Sequence, residues 1–194
     1  MTDDDFPEAA DVLAVLSEFF TKNGTLGDAL LQIAELASKV IKPTEMAGIT
    51  LLADGKLATG VFTDPEAVQI DTAQYEDGGQ GPCVDAFRHQ QVYRTDSTAD
   101  EHRWPQFTRS AAAHGITATL SLPLIARGEG IGALNLYSRT TPFGDGHVRR
   151  GEIFARQAAI VLSNVQVYQD ARLLGENLQE AMRSRSTIDQ AMAI

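Results

Sequence analysis

The C-terminal run constrains this chain most. From Asp145 to the end there is no proline, and Gly175 is the one residue that reads as a break. A helix of that length is about 75 Å long at 1.5 Å per residue, well beyond the ~30 Å of a small domain. Part of it must therefore project and pair with something. Its periodicity says how. Ile160, Asn164, Val167, Ala171, Leu174, Leu178, Ala181, Arg185 and Ile188 alternate by four and three. That spacing is a coiled-coil seam, with Ile160, Val167, Ala171, Leu174, Leu178, Ala181 and Ile188 as its apolar members. Residues up to about Tyr168 are expected to serve a globular domain, and the rest a homodimer.

The preceding residues supply that domain. Residues 8–20 place Val12, Leu13, Val15, Leu16, Phe19 and Phe20 on one helical face. Thr25 with Asp28 three residues on opens a second helix, which Pro43 stops. Met46–Ala53 and Lys56–Thr63 read as a hairpin around Asp54-Gly55. Asp64-Pro65 and Pro82 open short helices, with a glycine-rich loop at 76–82 between them. A short strand at 92–95 and a helix from Trp104 to His114 lead into a second hairpin, Ile116–Ala126 and Gly130–Arg139. Local hairpins argue for an antiparallel sheet, so the fold class is α+β: a central sheet with a helical layer on one face, short helices and loops on the other, and a long C-terminal helix.

Composition narrows the function. Apolar content of 43% and charged content of 22% exclude gross disorder. A net charge of −10 argues against DNA or RNA as a partner of the main body, because phosphates are held by clustered Lys and Arg. The balanced stretch after Ala171 escapes that argument. One cysteine, Cys83, allows neither an intrachain disulfide nor a multi-cysteine metal site. His89, His102, His114 and His147 lack paired ligand spacing, so no metal is expected. No apolar run is long enough for a membrane span, and the N-terminus lacks the order of a signal peptide; a cytoplasmic location is expected.

Four blocks in order carry a family resemblance: Tyr75-Glu76-Asp77-Gly78-Gly79-Gln80-Gly81-Pro82-Cys83-Val84-Asp85-Ala86, then Asp96 to Trp104-Pro105, then Leu120-Ser121-Leu122-Pro123-Leu124, then Gly132-Ala133-Leu134-Asn135-Leu136-Tyr137-Ser138. Together they resemble a GAF domain of the actinobacterial type, over residues 10–168, behind an acidic tail at 1–9. Beyond it Leu174, Leu178, Ala181, Ser184-Arg185 and Ile188-Asp189-Gln190-Ala191 resemble the opening of an ANTAR domain, a three-helix RNA-binding module of transcription antitermination. That family has Lys-Gly where Met192-Ala193 stand here, and its remaining helices would lie past Ile194. The resemblance implies that residues 169–194 begin an incomplete ANTAR domain, that the chain is a fragment or truncated relative, and that RNA is a partner only if those helices are present.

In the GAF family a small ligand sits between one sheet face and its cover. Strand alternation proposes the face: Thr117, Thr119 and Ser121 on one strand, Asn135 and Tyr137 on the next, with Ala118, Leu120, Leu122, Leu134 and Leu136 toward the helical layer. The cover would come from Tyr75, Gln80, Cys83, Phe87, Trp104 and Phe107, with Val84 beside them. The alternative is a packed second core without a ligand. Cys83, in the first turn of a helix, is open to redox sensing through a lowered pKa or to a buried structural role. The expected function is a non-enzymatic sensor of a small ligand or redox state that signals through a dimeric helix to an RNA-binding output. The ligand, whether cyclic nucleotide or other metabolite, is not named by the sequence. A ligand-free dimerisation scaffold is the alternative. A small-sulfoxide reductase is a further one, weakened by the lack of a second cysteine to resolve a sulfenic acid.

Overall fold

The computed structural model describes residues 25–53, 56–75 and 80–192, with the side chains of Ala53, Thr59 and the residues after Gly175 left aside. The expected helix at 8–20, the Asp54-Gly55 turn, most of the glycine-rich loop and the seam members Leu178, Ala181 and Ile188 lie outside what is described.

Helix α1 (Leu26–Val40) starts at Thr25, whose hydroxyl accepts from Asp28 N at 3.2 Å while Asp28 Oδ2 accepts from Thr25 N at 2.9 Å. This reciprocal cap satisfies two otherwise orphaned amides and contributes about 1 kcal/mol. Ala29, Leu30, Ile33, Ala34 and Ala37 recur at helical spacing and are buried. Strands β1 (Met46–Ala53) and β2 (Lys56–Phe62) follow, then α2 (Pro65–Thr72), α3 (Pro82–His89), β3 (Tyr93–Thr95), α4 (Pro105–Ala113), β4 (Ala118–Ala126), β5 (Glu129–Ser138) and α5 (Asp145–Met192). All three short helices have Pro in their first turn, where the missing amide hydrogen costs nothing.

The five strands form one sheet in the order β2-β1-β5-β4-β3, every pair antiparallel. Arg127 and Gly128, at φ 55° and 85°, turn β4 into β5, the paired left-handed residues that a two-residue hairpin with native twist needs. The fold class is α+β, with a five-stranded antiparallel sheet.

Alternation along β4 and β5 decides what lies on each face. Leu120, Leu122, Leu124, Leu134 and Leu136 join α1 and the first half of α5 in the main core. Phe154, Ala158, Leu162 and Val165 of α5 face them. Gly151 allows this close approach, since a Cβ there would come within 2.7 Å of Leu122 Cδ1. Val165 is the last buried residue described on α5, so the helix leaves the domain there. It runs unbroken through Gly175. The opposite sheet face is covered by α2, α3 and α4, and that face holds the polar residues.

Candidate functional site

The polar face is built around Asp71, in the last turn of α2. Ala67, Ile70, Asp71 and Gln74 fall at helical spacing and are all fully buried, so the stripe that seats α2 on the sheet ends in a carboxylate and an amide. Asp71 Oδ1 accepts from Asn135 Nδ2 at 3.2 Å, from Gln74 Nε2 at 3.1 Å and from the Tyr137 hydroxyl. Asn135 Nδ2 also reaches Thr50 Oγ1 at 3.2 Å, and Asn135 Oδ1 accepts from Ser121 Oγ at 3.0 Å. Thr50 and the Tyr75 hydroxyl share a hydrogen bond of 2.5 Å. Gln74 Oε1 accepts from Cys83 N at 2.8 Å and so holds the start of α3. Glycines make room: a Cβ on Gly48 would lie 2.9 Å from Asp71 Oδ2, and one on Gly81 would overlap Gln74.

The electrostatics of this cluster are set by burial and by the Asp71 charge. Both push Cys83 up to about 12, burial being the larger effect. Tyr137 is held well above its ordinary value for the same reasons in the same order. The helix-start effect that favours a thiolate is therefore overridden. Cys83 is fully buried and its pKa is raised, which favours the structural role over redox sensing of the two open to it.

An aromatic layer lies alongside. Tyr93 and Trp104 meet edge-on at 5.6 Å, Trp104 and Phe107 at 6.5 Å. Trp104 Nε1 donates to Asp85 Oδ2 at 2.8 Å, tying α4's start to α3. The Arg103 guanidinium covers the Trp104 ring at 4.2 Å and pairs with Glu101. Phe107 packs with Met46, Ile70 and Tyr137.

The structure thus unites Tyr75, Cys83, Ser121, Asn135 and Tyr137 in one cluster and sets Trp104 and Phe107 beside it. Thr119 lies on the same face, opposite Tyr137 on β5 and Thr95 on β3. It is 1% exposed, yet its hydroxyl has no hydrogen-bond partner. Three expected residues fall elsewhere. Thr117 is exposed ahead of β4 and donates to the Ser138 carbonyl at 3.2 Å, because the strand begins at Ala118, two residues later than the expected Ile116. Gln80 is exposed. Phe87 is half-buried at the other end of the sheet, where Gly130 leaves space for its ring. Sequence reading missed Thr50, Asp71 and Gln74. The Ala67-Ile70-Asp71-Gln74 spacing was the available signal for the last two, and alternation from Gly48 was the signal for Thr50.

Among the described residues no group of three or more His, Cys, Asp or Glu side chains is placed to hold a metal, and no helix is long and apolar enough to cross a membrane. His114 closes α4, its ring nitrogens 2.8 Å from the Ser110 carbonyl and 2.9 Å from Gln69 Oε1.

Known structures share this architecture at low identity. The chain is similar to fRMsr of Staphylococcus aureus in its reduced form, with 16% identity and a TM-score of 0.62 over 84% of this chain and 99% of that one. It is similar to a GAF domain/HD domain protein from Geobacter sulfurreducens (17%, TM-score 0.57, 80% and 98%). It is also similar to the GAF domain of an Acinetobacter phosphoenolpyruvate-protein phosphotransferase (14%, TM-score 0.58, 84% and 98%). No curated protein matches the chain. These likenesses concern the fold alone, but the model described as GAF domain matches residues 24–163, which is most of the chain. With that match over the sheet, its cover and the first part of α5, the chain belongs to the GAF domain family of signal-sensing regulatory domains.

Proposed function

We propose that this GAF domain senses a small neutral or cationic molecule held against Thr119, and that it is not an enzyme. The observation that carries the reading is the Thr119 hydroxyl, buried and without a partner on the polar face. A buried hydroxyl with no hydrogen bond costs about 1–3 kcal/mol, and a ligand that bonds to it recovers that cost. Trp104 and Phe107 pack with Tyr137, the cross-strand neighbour of Thr119, and are apolar as the walls of small-molecule sites are. Burial, and after it the Asp71 charge, disfavour the ionised forms of Cys83 and Tyr137, and both act against an anionic ligand on this face as well. Cyclic nucleotides are therefore expected not to bind.

Coupling to the output runs through β4. Thr119 faces the polar side, while its neighbour Leu120 and then Leu122 face Gly151 of α5. A ligand that favours one setting of β4 then favours one packing of α5, and a homodimer through α5 carries the difference outward. The resemblance of residues 174–191 to the opening of an ANTAR domain supports an RNA-binding, antitermination output.

Native mass spectrometry tests the sensor. Protein taken directly from its own cells is expected to carry a neutral or cationic small molecule that denaturation releases. A bare mass in such preparations contradicts the reading and favours a ligand-free dimerisation scaffold, which the closed Ser121–Asn135–Asp71–Tyr137 bonding also favours. A sulfoxide reductase dependent on Cys83 is disfavoured by that thiol's burial and raised pKa.

A further inference from the structure

We infer that Asn164 sets the register of a parallel, two-stranded pairing between α5 and the α5 of a second copy of this chain. The inference rests on the homodimer proposed above and adds its orientation, its register and a contact outside the helix. Ile160, Val167 and Leu174 are 49%, 48% and 62% exposed, although each is a large apolar side chain. They are seven residues apart and so form one line down the helix. Asn164 and Ala171, both exposed, fall between them on the same line. The face that packs on the domain, with Ala158, Leu162 and Val165, points elsewhere. In heptad terms Ile160, Val167 and Leu174 occupy d, and Asn164 and Ala171 occupy a. Among these five residues Asn164 is the single amide. Facing an apolar side chain it would be an unsatisfied polar group. Facing the same amide of an in-register copy it is bonded, which is how one Asn at an a position fixes register and strand number.

Charge selects both the occupant and its direction. A chain of net charge −10 repels its own copies, and a neutral stripe is where two copies approach without that penalty. No charged residue lies in the seam from Ile160 to Leu174. Of the flanking positions Ser163, Tyr168, Asp170 and Gly175, one is charged. A parallel pairing sets Asp170 toward Gly175 of the second copy, whereas an antiparallel one turns flanking positions of the same kind, Asp170 included, toward each other.

Area indicates that the helix needs help. The seam from Ile160 to Leu174 spans about 21 Å, and a band that long and about 10–12 Å wide projects to roughly 230 Å² per partner. A standard interface takes about 800 Å² per partner. At the first turn of the seam a groove of about 310 Å³, lined by Ile160 and Asn164 themselves, lies between the β4–β5 turn, from Ile125 to Arg127, and Arg156 and Ser163 of α5. It is positioned to extend the contact where α5 leaves the domain.

The test places single cysteines in the full chain, where Cys83 is buried and the introduced thiol is the reactive one. Asn164→Cys, Val167→Cys and Leu174→Cys are each oxidised and compared with Gln166→Cys, off the seam. Disulfide-linked dimers at all three seam positions, at least fivefold above Gln166→Cys, are expected. A wild-type dimer whose seam cysteines link no better than Gln166→Cys overturns this inference and leaves the homodimer standing. Linking at one seam position alone shows an antiparallel pair and also overturns it. A protein that is monomeric at micromolar concentration overturns the homodimer itself, with residues 1–24 or a foreign helix as the occupant of the seam. Asn164→Leu supplies the register test: a mixture of dimers and larger species is expected, and an unchanged single dimer overturns the role of Asn164.

Discussion

Replacing Thr119 by Val keeps the side-chain shape and removes a buried hydroxyl that has no partner. In bare protein the change is expected to be neutral or to stabilise by up to about 1 kcal/mol, read by urea unfolding. Asp71→Ala acts in the opposite direction. It strips the acceptor from Asn135, Gln74 and Tyr137 at once and is expected to destabilise by about 3 kcal/mol or more in the same assay. An effect under 1 kcal/mol would show that the cluster contributes little to holding α2 on the sheet. These residues differ in how far the sequence revealed them. Ser121, Asn135 and Tyr137 follow from period-2 alternation on strands that both have a buried face. Asp71 and Gln74 are brought to Asn135 and Cys83 by the seating of a short helix, and no local pattern in β5 announces that contact. Cys83 shows a different limit: a helix start and a buried role could both be read at that position, and the packing that favours burial is tertiary.

At the scale of elements, the contact between α5 and β4 depends on Gly151. Gly151→Val puts new atoms against Leu122, which is fully buried and has little room to move. Overpacking of this kind costs about 1–3 kcal/mol, and lifting α5 is expected to weaken the proposed dimer as well as the fold. Sedimentation equilibrium checks the second effect, and a dimer constant unchanged from wild type would separate α5 packing from assembly. The loop between β3 and α4 carries a pH-dependent element. Glu101 is held below the usual carboxylate range, chiefly by its hydrogen bonds from Arg103. A carboxyl lowered in the folded state stabilises above its unfolded pKa and loses that contribution as pH falls through the folded value. Glu101→Gln is therefore expected to cost under about 1 kcal/mol at neutral pH, Arg103 being largely exposed, and less at a pH below the usual carboxylate range. Equal costs at both pH values would contradict this. The helices and hairpins themselves were legible because their signals are local: the Thr25–Asp28 cap, prolines in the first turns of three helices, and left-handed Arg127-Gly128. The pairing of β1 with β5, which closes the sheet, joins residues far apart in the chain and had no such signal.

For the whole molecule, the sheet works as a partition. Its two faces carry different chemistry because β4 and β5 alternate, so the proposed ligand side at Thr119 and the helix on the Leu120 side share one strand. The long run after Asp145 foretold a helix that leaves the domain, and the exposure of Ile160, Val167 and Leu174 agrees with a seam left open in one chain. The central claim is that a ligand at Thr119 stabilises this domain. Urea unfolding of wild type and Thr119→Val, each with and without the small-molecule fraction released from wild-type protein, tests it most directly. Wild type is predicted to gain stability from that fraction, and Thr119→Val to be at least as stable as wild type when bare but to gain several-fold less. An equal gain in both proteins, or none in either, would contradict the account.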